Sequence, residues 1–116
     1  MTVYHIYANR HNIGDLLSAS SIKKYLKIDM VDLLADRGYF EKTKKAILGI
    51  KKEDTVIIGG GGLFMNYFLP VWDAIIENYH GYKVIIWGVG ECIYKQNKYT
   101  GLSDNTFESI SDIATL

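Results

Sequence analysis

Residues 54–64 read DTVIIGGGGLF, a short β-branched run that breaks directly into four consecutive glycines. The run is as apolar as a strand covered on both faces. Glycine straight after a strand lets backbone N–H and C=O groups approach a neighbour or a ligand with no Cβ in the way. The pattern occurs twice more: VYHIYA (3–8) runs into NRHNIGD (9–15), and KVIIW (83–87) runs into GVGE (88–91). Loops at repeated strand ends share one sheet edge, which is where open α/β folds bind their ligands. The candidate contact residues are therefore Asn12, Gly14 and Asp15 in the first loop, Gly59, Gly60, Gly61 and Gly62 in the second, and Gly88, Gly90 and Glu91 in the third.

The segments between these runs read as helices. Leu16, Ala19, Ile22 and Leu26 recur at spacings of three and four and predict one apolar helical face. Asp15 sits where the N-cap belongs, and Lys23, Lys24 and Lys27 complement the macrodipole at the other end. Residues 29–34 form a second, shorter strand, followed by a turn over 35–38 and a helix over 40–50 with Ala46, Ile47 and Ile50 inward. After the third strand (54–58), Pro70 sets a helix start near Phe68, because proline is comfortable only in the first turn. Val71, Ala74, Ile75 and Tyr79 fall on its buried side. Residues 83–87 are a fourth strand, 107–112 a short helix, and 113–116 the opening of a fifth strand.

Strands alternating with helices, without hairpin signals, predict a parallel sheet with right-handed crossovers. The expected fold is a doubly wound, three-layer Rossmann-like α/β sandwich with strand order 2-1-3-4-5. That order places the first and third strands side by side at the switch point, so that NIGD and GGGG face one crevice.

The chain's 116 residues make one domain by size. Thirteen basic residues balance thirteen acidic ones, which argues against nucleic-acid binding by bulk charge. Cys92 is the lone cysteine, so no internal disulfide forms and a reducing, cytoplasmic setting is expected. No apolar run approaches the ~20 residues of a transmembrane helix. The three histidines and one cysteine show no ligand spacing, so no metal site is predicted.

Each loop has a plain structural reading beside the functional one. The four glycines are neither a dinucleotide fingerprint, since Phe64 stands where its last glycine belongs, nor a P-loop, since no Lys-Ser or Lys-Thr pair follows. A tight turn needs one or two of them, and the excess favours approach to a ligand. Asp15 is either a helix cap or a carboxylate aimed into the cleft. A carboxylate there disfavours phosphate, though Arg10 and His11 soften that if they point inward, and suits sugar hydroxyls. Asn66 either caps the third helix or touches a ligand. Glu91 reads more as solvated than functional, Cys92 as a small buried filler, His5 as a core residue, and His80 as a helix-end charge.

Three stretches, NIGDLLSASSIKKYL after the first strand, DTVIIGGGGLF and KVIIWGVG, together resemble the N-terminal half of the polysaccharide pyruvyl transferase family. The resemblance runs over essentially the whole chain. It implies an enzyme of two Rossmann-like domains arranged as in GT-B glycosyltransferases. Family members transfer the enolpyruvyl unit of phosphoenolpyruvate to a sugar as a pyruvate ketal and release phosphate. They need no cofactor beyond that donor. The family is more than twice as long, and its donor-holding basic and histidine residues lie in the second half, outside this chain. An arginine–acid pair follows a stretch like ISDIATL there, and this chain ends just before it.

The expectation is thus an acceptor-side portion that binds a saccharide and is catalytically incomplete without a C-terminal domain. Asp15 is its candidate catalytic carboxylate, and self-association is expected through an edge left open at the fifth strand. The alternatives are a nucleotide-sugar glycosyltransferase domain of the same architecture and a non-catalytic α/β binding domain.

Overall fold

The computed structural model describes residues 1–8, 13–60, 63–87, 89 and 101–114, excepting the side chains of 13–16, 18 and 37. Four strands, β1 (Val3–Tyr7), β2 (Val31–Leu34), β3 (Thr55–Ile58) and β4 (Lys83–Ile86), alternate with α1 (Ile13–Leu26), α2 (Phe40–Leu48), α3 (Leu69–Asn78) and α4 (Asp104–Ile113). The strands form one all-parallel sheet in the order β2-β1-β3-β4. Val84 bridges Ala114 in parallel, so the chain after α4 arrives beside β4, where a fifth strand was expected. Residues 115 and 116 lie outside the described residues.

Alternation along the strands divides the side chains between two faces. Ile6, Ala8, Leu33, Ala35, Val56, Ile58 and Val84 point to one face and pack with Ile47, Val71, Trp72, Ile75 and Ile110. That core is closed by α2, α3 and α4. Tyr7 and Leu34 point the other way and pack with Ala19 of α1. Helices therefore cover both faces, and the arrangement is Rossmann-like, as the pattern of runs and glycines implied. One end of the sheet is tied by Asp54, whose carboxylate accepts the N–H groups of Thr2 (2.8 Å) and Lys51 (2.9 Å). Both donors hold its carboxyl below the usual range.

Several boundaries differ from those read from sequence. The first helix begins at Ile13, so Asp15 lies inside the first turn and not at the N-cap. The second strand starts at Val31, because Asp29 is a poor strand residue. The second helix stops at Leu48, where the Gly49 N–H closes onto Ala46 O (3.0 Å). A 3₁₀ turn, Asn66–Phe68, precedes α3, and Pro70 sits in the first turn of that helix. Tyr79 falls beyond the end of α3 and is exposed. The last helix begins three residues earlier than read, with Ser103 as its cap: Ser103 Oγ accepts the Thr106 N–H at 3.3 Å.

Lys27 ends α1 in the left-handed region (φ 54°), its N–H bonded to Lys23 O at 2.9 Å. That conformation suits glycine, which lacks the Cβ penalty. Lys27→Gly is expected to raise stability by about 1 kcal/mol in urea denaturation. A loss of stability of similar size would refute this account of the helix end.

Candidate functional site

Backbone hydrogen bonds carry the ladder past the formal strand ends. Ala35 N–H reaches Tyr7 O (2.9 Å), Gly59 N–H reaches Ile6 O (3.0 Å), and Trp87 N–H reaches Ile58 O (2.8 Å). The four strands thus leave the sheet at one carboxyl edge. Because β1 and β3 are neighbours, their exits open side by side, and Ala8 N–H lies 3.4 Å from Gly60 O. This is the switch-point position at which open α/β sheets form their crevice.

Gly59 and Gly60 are required by packing before any ligand is considered. Gly60 has φ +97°, and a Cβ there would stand 2.8 Å from Ala19 N and 3.0 Å from Ala19 Cα. A Cβ on Gly59 would collide with the Trp87 carbonyl and reach 2.9 Å from Ile22 Cδ1. The loop is also pinned beyond the glycines. Trp72, buried, donates its indole N–H to Leu63 O at 2.8 Å.

Beneath the loop lies a polar cluster on the α1 face. His5 is fully buried and its Nε2 is 3.0 Å from Gly59 O. A carbonyl only accepts, so Nε2 carries the proton, and the neutral ring leaves Nδ1 as an acceptor. Among the described residues Nδ1 has no partner. Burial, with help from the Lys23 charge, pushes the imidazole below its ordinary 6.5, although the Gly59 bond and Asp32 pull the other way. The His5 ring lies 5.0 Å from that of Tyr7. Tyr7 Oη donates to Asp32 Oδ2 (3.3 Å), and Lys23 Nζ pairs with Asp32 Oδ1.

A second polar link crosses the carboxyl edge. Tyr67, in the turn before α3, donates its hydroxyl to Asp36 Oδ1 at 3.0 Å. Asp36 follows β2 by two residues and Tyr67 lies in the turn that opens α3, so the bond ties the β2–α2 connection to the start of α3. Neither residue was singled out from sequence. An Asp in a four-residue turn reads as turn chemistry, and only the strand order reveals what it faces.

Of the residues proposed from sequence, Gly59 and Gly60 stand at the end of β3, and Asn66 opens the turn before α3, exposed. Asn66 is not the cap of that helix: Phe68 holds the cap position without a side-chain hydrogen bond. The backbones of Gly14 and Asp15 form part of the first turn of α1. Asn12, Gly61, Gly62, Gly88, Gly90 and Glu91 lie outside the described residues, as does Cys92. His80 bonds through Nδ1 to Asn78 O (2.8 Å), just past α3. A groove of about 380 Å³ between α2 and α3, lined by Lys44, Leu48, Asp73 and Glu77, belongs to the outer helix layer and none of the glycine loops lines it.

Among the described residues no group of three His, Cys, Asp or Glu side chains is placed to hold a metal, and no helix is long and apolar enough to cross a membrane. No protein-family model, no curated protein and no solved structure matches the chain.

Two outcomes follow from this geometry. Gly60→Ala is expected to cost about 1–3 kcal/mol of stability. Gly38→Ala, where a Cβ would meet nothing within 4 Å, serves as the neutral comparison, and equal stabilities for the two variants would refute the close-approach account. His5, lowered in the fold, contributes stability that is fully present above about pH 6.5. That stability is lost as pH falls through the folded-state value. His5→Gln is expected to flatten stability against pH in that window while leaving the more acidic limb, set by Asp54, in place.

Proposed function

We propose that this chain is the acceptor-side portion of a polysaccharide pyruvyl transferase-like enzyme, one Rossmann-like half of a GT-B type pair. In that reaction one sugar hydroxyl adds to the enol carbon bearing the phosphate as the methylene carbon is protonated. Phosphate then departs with its bonding electrons, a second hydroxyl closes the ketal on the resulting oxocarbenium, and both hydroxyl protons are released. The half that seats the sugar needs acceptors for hydroxyls and a base, and the donor half needs cations for phosphate and carboxylate.

The observation that carries this reading is the adjacency of β1 and β3 at the carboxyl edge, with Gly59 and Gly60 tight against α1. It supports a ligand site at the neighbouring carboxyl ends of β1 and β3, where the chain leaves the sheet at Ala8 and at Gly59–Gly60. Asp15, in the first turn of α1, stands where the helix macrodipole favours negative charge. A carboxylate at that position suits a hydroxyl acceptor or general base and opposes an anionic donor. The balance of thirteen basic and thirteen acidic residues fits a neutral polyol ligand, and phosphoenolpyruvate would be held by the partner half in the cytoplasm where it is made.

The test is ligand-observed NMR on this chain with methyl hexopyranosides, phosphoenolpyruvate and uridine diphosphate. Saturation transfer to the hexopyranosides and none to phosphoenolpyruvate is the expected result. Transfer to the nucleotide alone would replace this reading with that of a nucleotide-sugar glycosyltransferase. In an enzyme completed by its donor half, Asp15→Asn is expected to lower turnover ~10²-fold with folding intact, and unchanged turnover would remove Asp15 from the chemistry.

A further inference from the structure

A carboxylate that reads from sequence as a turn residue stands at the carboxyl edge: Asp36. It stands two residues beyond β2, and the strand order sets the exit of β2 beside that of β1 and one strand from that of β3. Its backbone is fixed on both sides. Ala35 continues the ladder through its bond to Tyr7 O, and the Asp36 carbonyl accepts the Tyr39 N–H at 2.9 Å. Its side chain is fixed by Tyr67, which holds Oδ1 at 3.0 Å. Tyr67 is in turn wedged between Phe40 (5.9 Å between centroids) and Phe68 (4.9 Å, edge-on). Among the described residues Tyr67 is the one side chain that hydrogen-bonds this carboxylate, and Asp36 is only partly buried.

An immobilised carboxylate with one oxygen engaged by a tyrosine, on a partly exposed residue just past the carboxyl end of a strand, is an acceptor for hydroxyl groups. The tyrosine fixes its orientation in advance, so a ligand need not order it on binding. We propose that Asp36, oriented by Tyr67, receives a vicinal hydroxyl pair of the ligand bound at the carboxyl edge. A negative charge at this point repels phosphate, so the group it takes is the neutral diol itself. The inference rests on the reading of that edge as the ligand site. The diol has two chemical sources, a saccharide and the ribose of a nucleoside, and both place adjacent hydroxyls within reach of one carboxylate.

The experiment is a saturation-transfer NMR titration of wild type, Asp36→Asn and Tyr67→Phe with methyl hexopyranosides in one arm and uridine in the other. Asp73→Asn, on the outer helix layer, is the control, and circular dichroism verifies the fold of each variant. Asp36→Asn is expected to weaken hexopyranoside binding about tenfold or more, because a charged acceptor is replaced by an amide. Tyr67→Phe is expected to weaken it less, and Asp73→Asn not at all. O-methylation of the sugar hydroxyls should abolish the difference between wild type and Asp36→Asn, which a purely structural role of Asp36 would not do. Weakened uridine binding in Asp36→Asn, without hexopyranoside binding, would uphold the diol site and overturn the saccharide-acceptor function. Equal binding by wild type and folded Asp36→Asn, or no binding of either probe to wild type, would overturn the inference.

Discussion

The distance between α1 and the end of β3 governs the carboxyl edge of this molecule. Gly60 meets the backbone of Ala19, and Gly59 lies against the Trp87 carbonyl and the tip of Ile22. No side chain larger than hydrogen fits at either point without displacing a backbone. With those two Cβ atoms absent, α1 lies flat enough on the sheet to bury Ala19 with Tyr7 and Leu34. The same approach seals His5 from solvent and lets Lys23 reach over the Tyr7 ring, 5.5 Å from its centroid, toward Asp32. Seat, seal and ion pair all depend on one steric condition.

The polar groups under α1 do more for specificity than for net stability. Lys23 and Asp32 are each about a third exposed at the side chain, and pairs in that setting contribute little once desolvation and side-chain ordering are counted. Their value lies in register. His5 is paired with Asp32 across β1–β2 and with Ile57 across β1–β3. A slip of one residue would turn His5 and Asp32 into the apolar core on the opposite face. A buried imidazole that donates to Gly59 O thus fixes both the pairing of the sheet and the orientation of the loop that follows β3.

The fold was legible because three of the four strands lead into glycine-bearing loops and the second into a turn. The helices between them keep a spacing of three and four, and proline marks the start of α3. Choosing the switch-point order then placed β1 beside β3. The interactions that shape the site were hidden for a physical reason. His5 and Gly59 are 54 residues apart in sequence, and Asp36 and Tyr67 are 31 apart. No local pattern signals either pair. The excess of glycine after β3 was visible, but two of those glycines answer a packing need that only the position of α1 reveals. Asp15 read as a cap because Asn-Ile-Gly resembles a loop, whereas the helix opens at Ile13. Trp72 was passed over because it adjoins Val71 on α3, and its buried role came to light only through its bond to Leu63.

The two tryptophans stand on opposite sides of the sheet. Trp72 is enclosed in the layer of α2, α3 and α4 at 2% exposure, against Phe64 at 5.7 Å between centroids. Trp87 is 39% exposed and meets Tyr25 of α1 edge-on at 5.4 Å. The protein therefore carries two indole fluorophores in different media, one emitting to the blue and shielded from quencher, the other to the red and open to it. Loosening of α1 would register in the second alone, and opening of the Leu63 clamp in the first, so each layer of the sandwich can be followed by its own light.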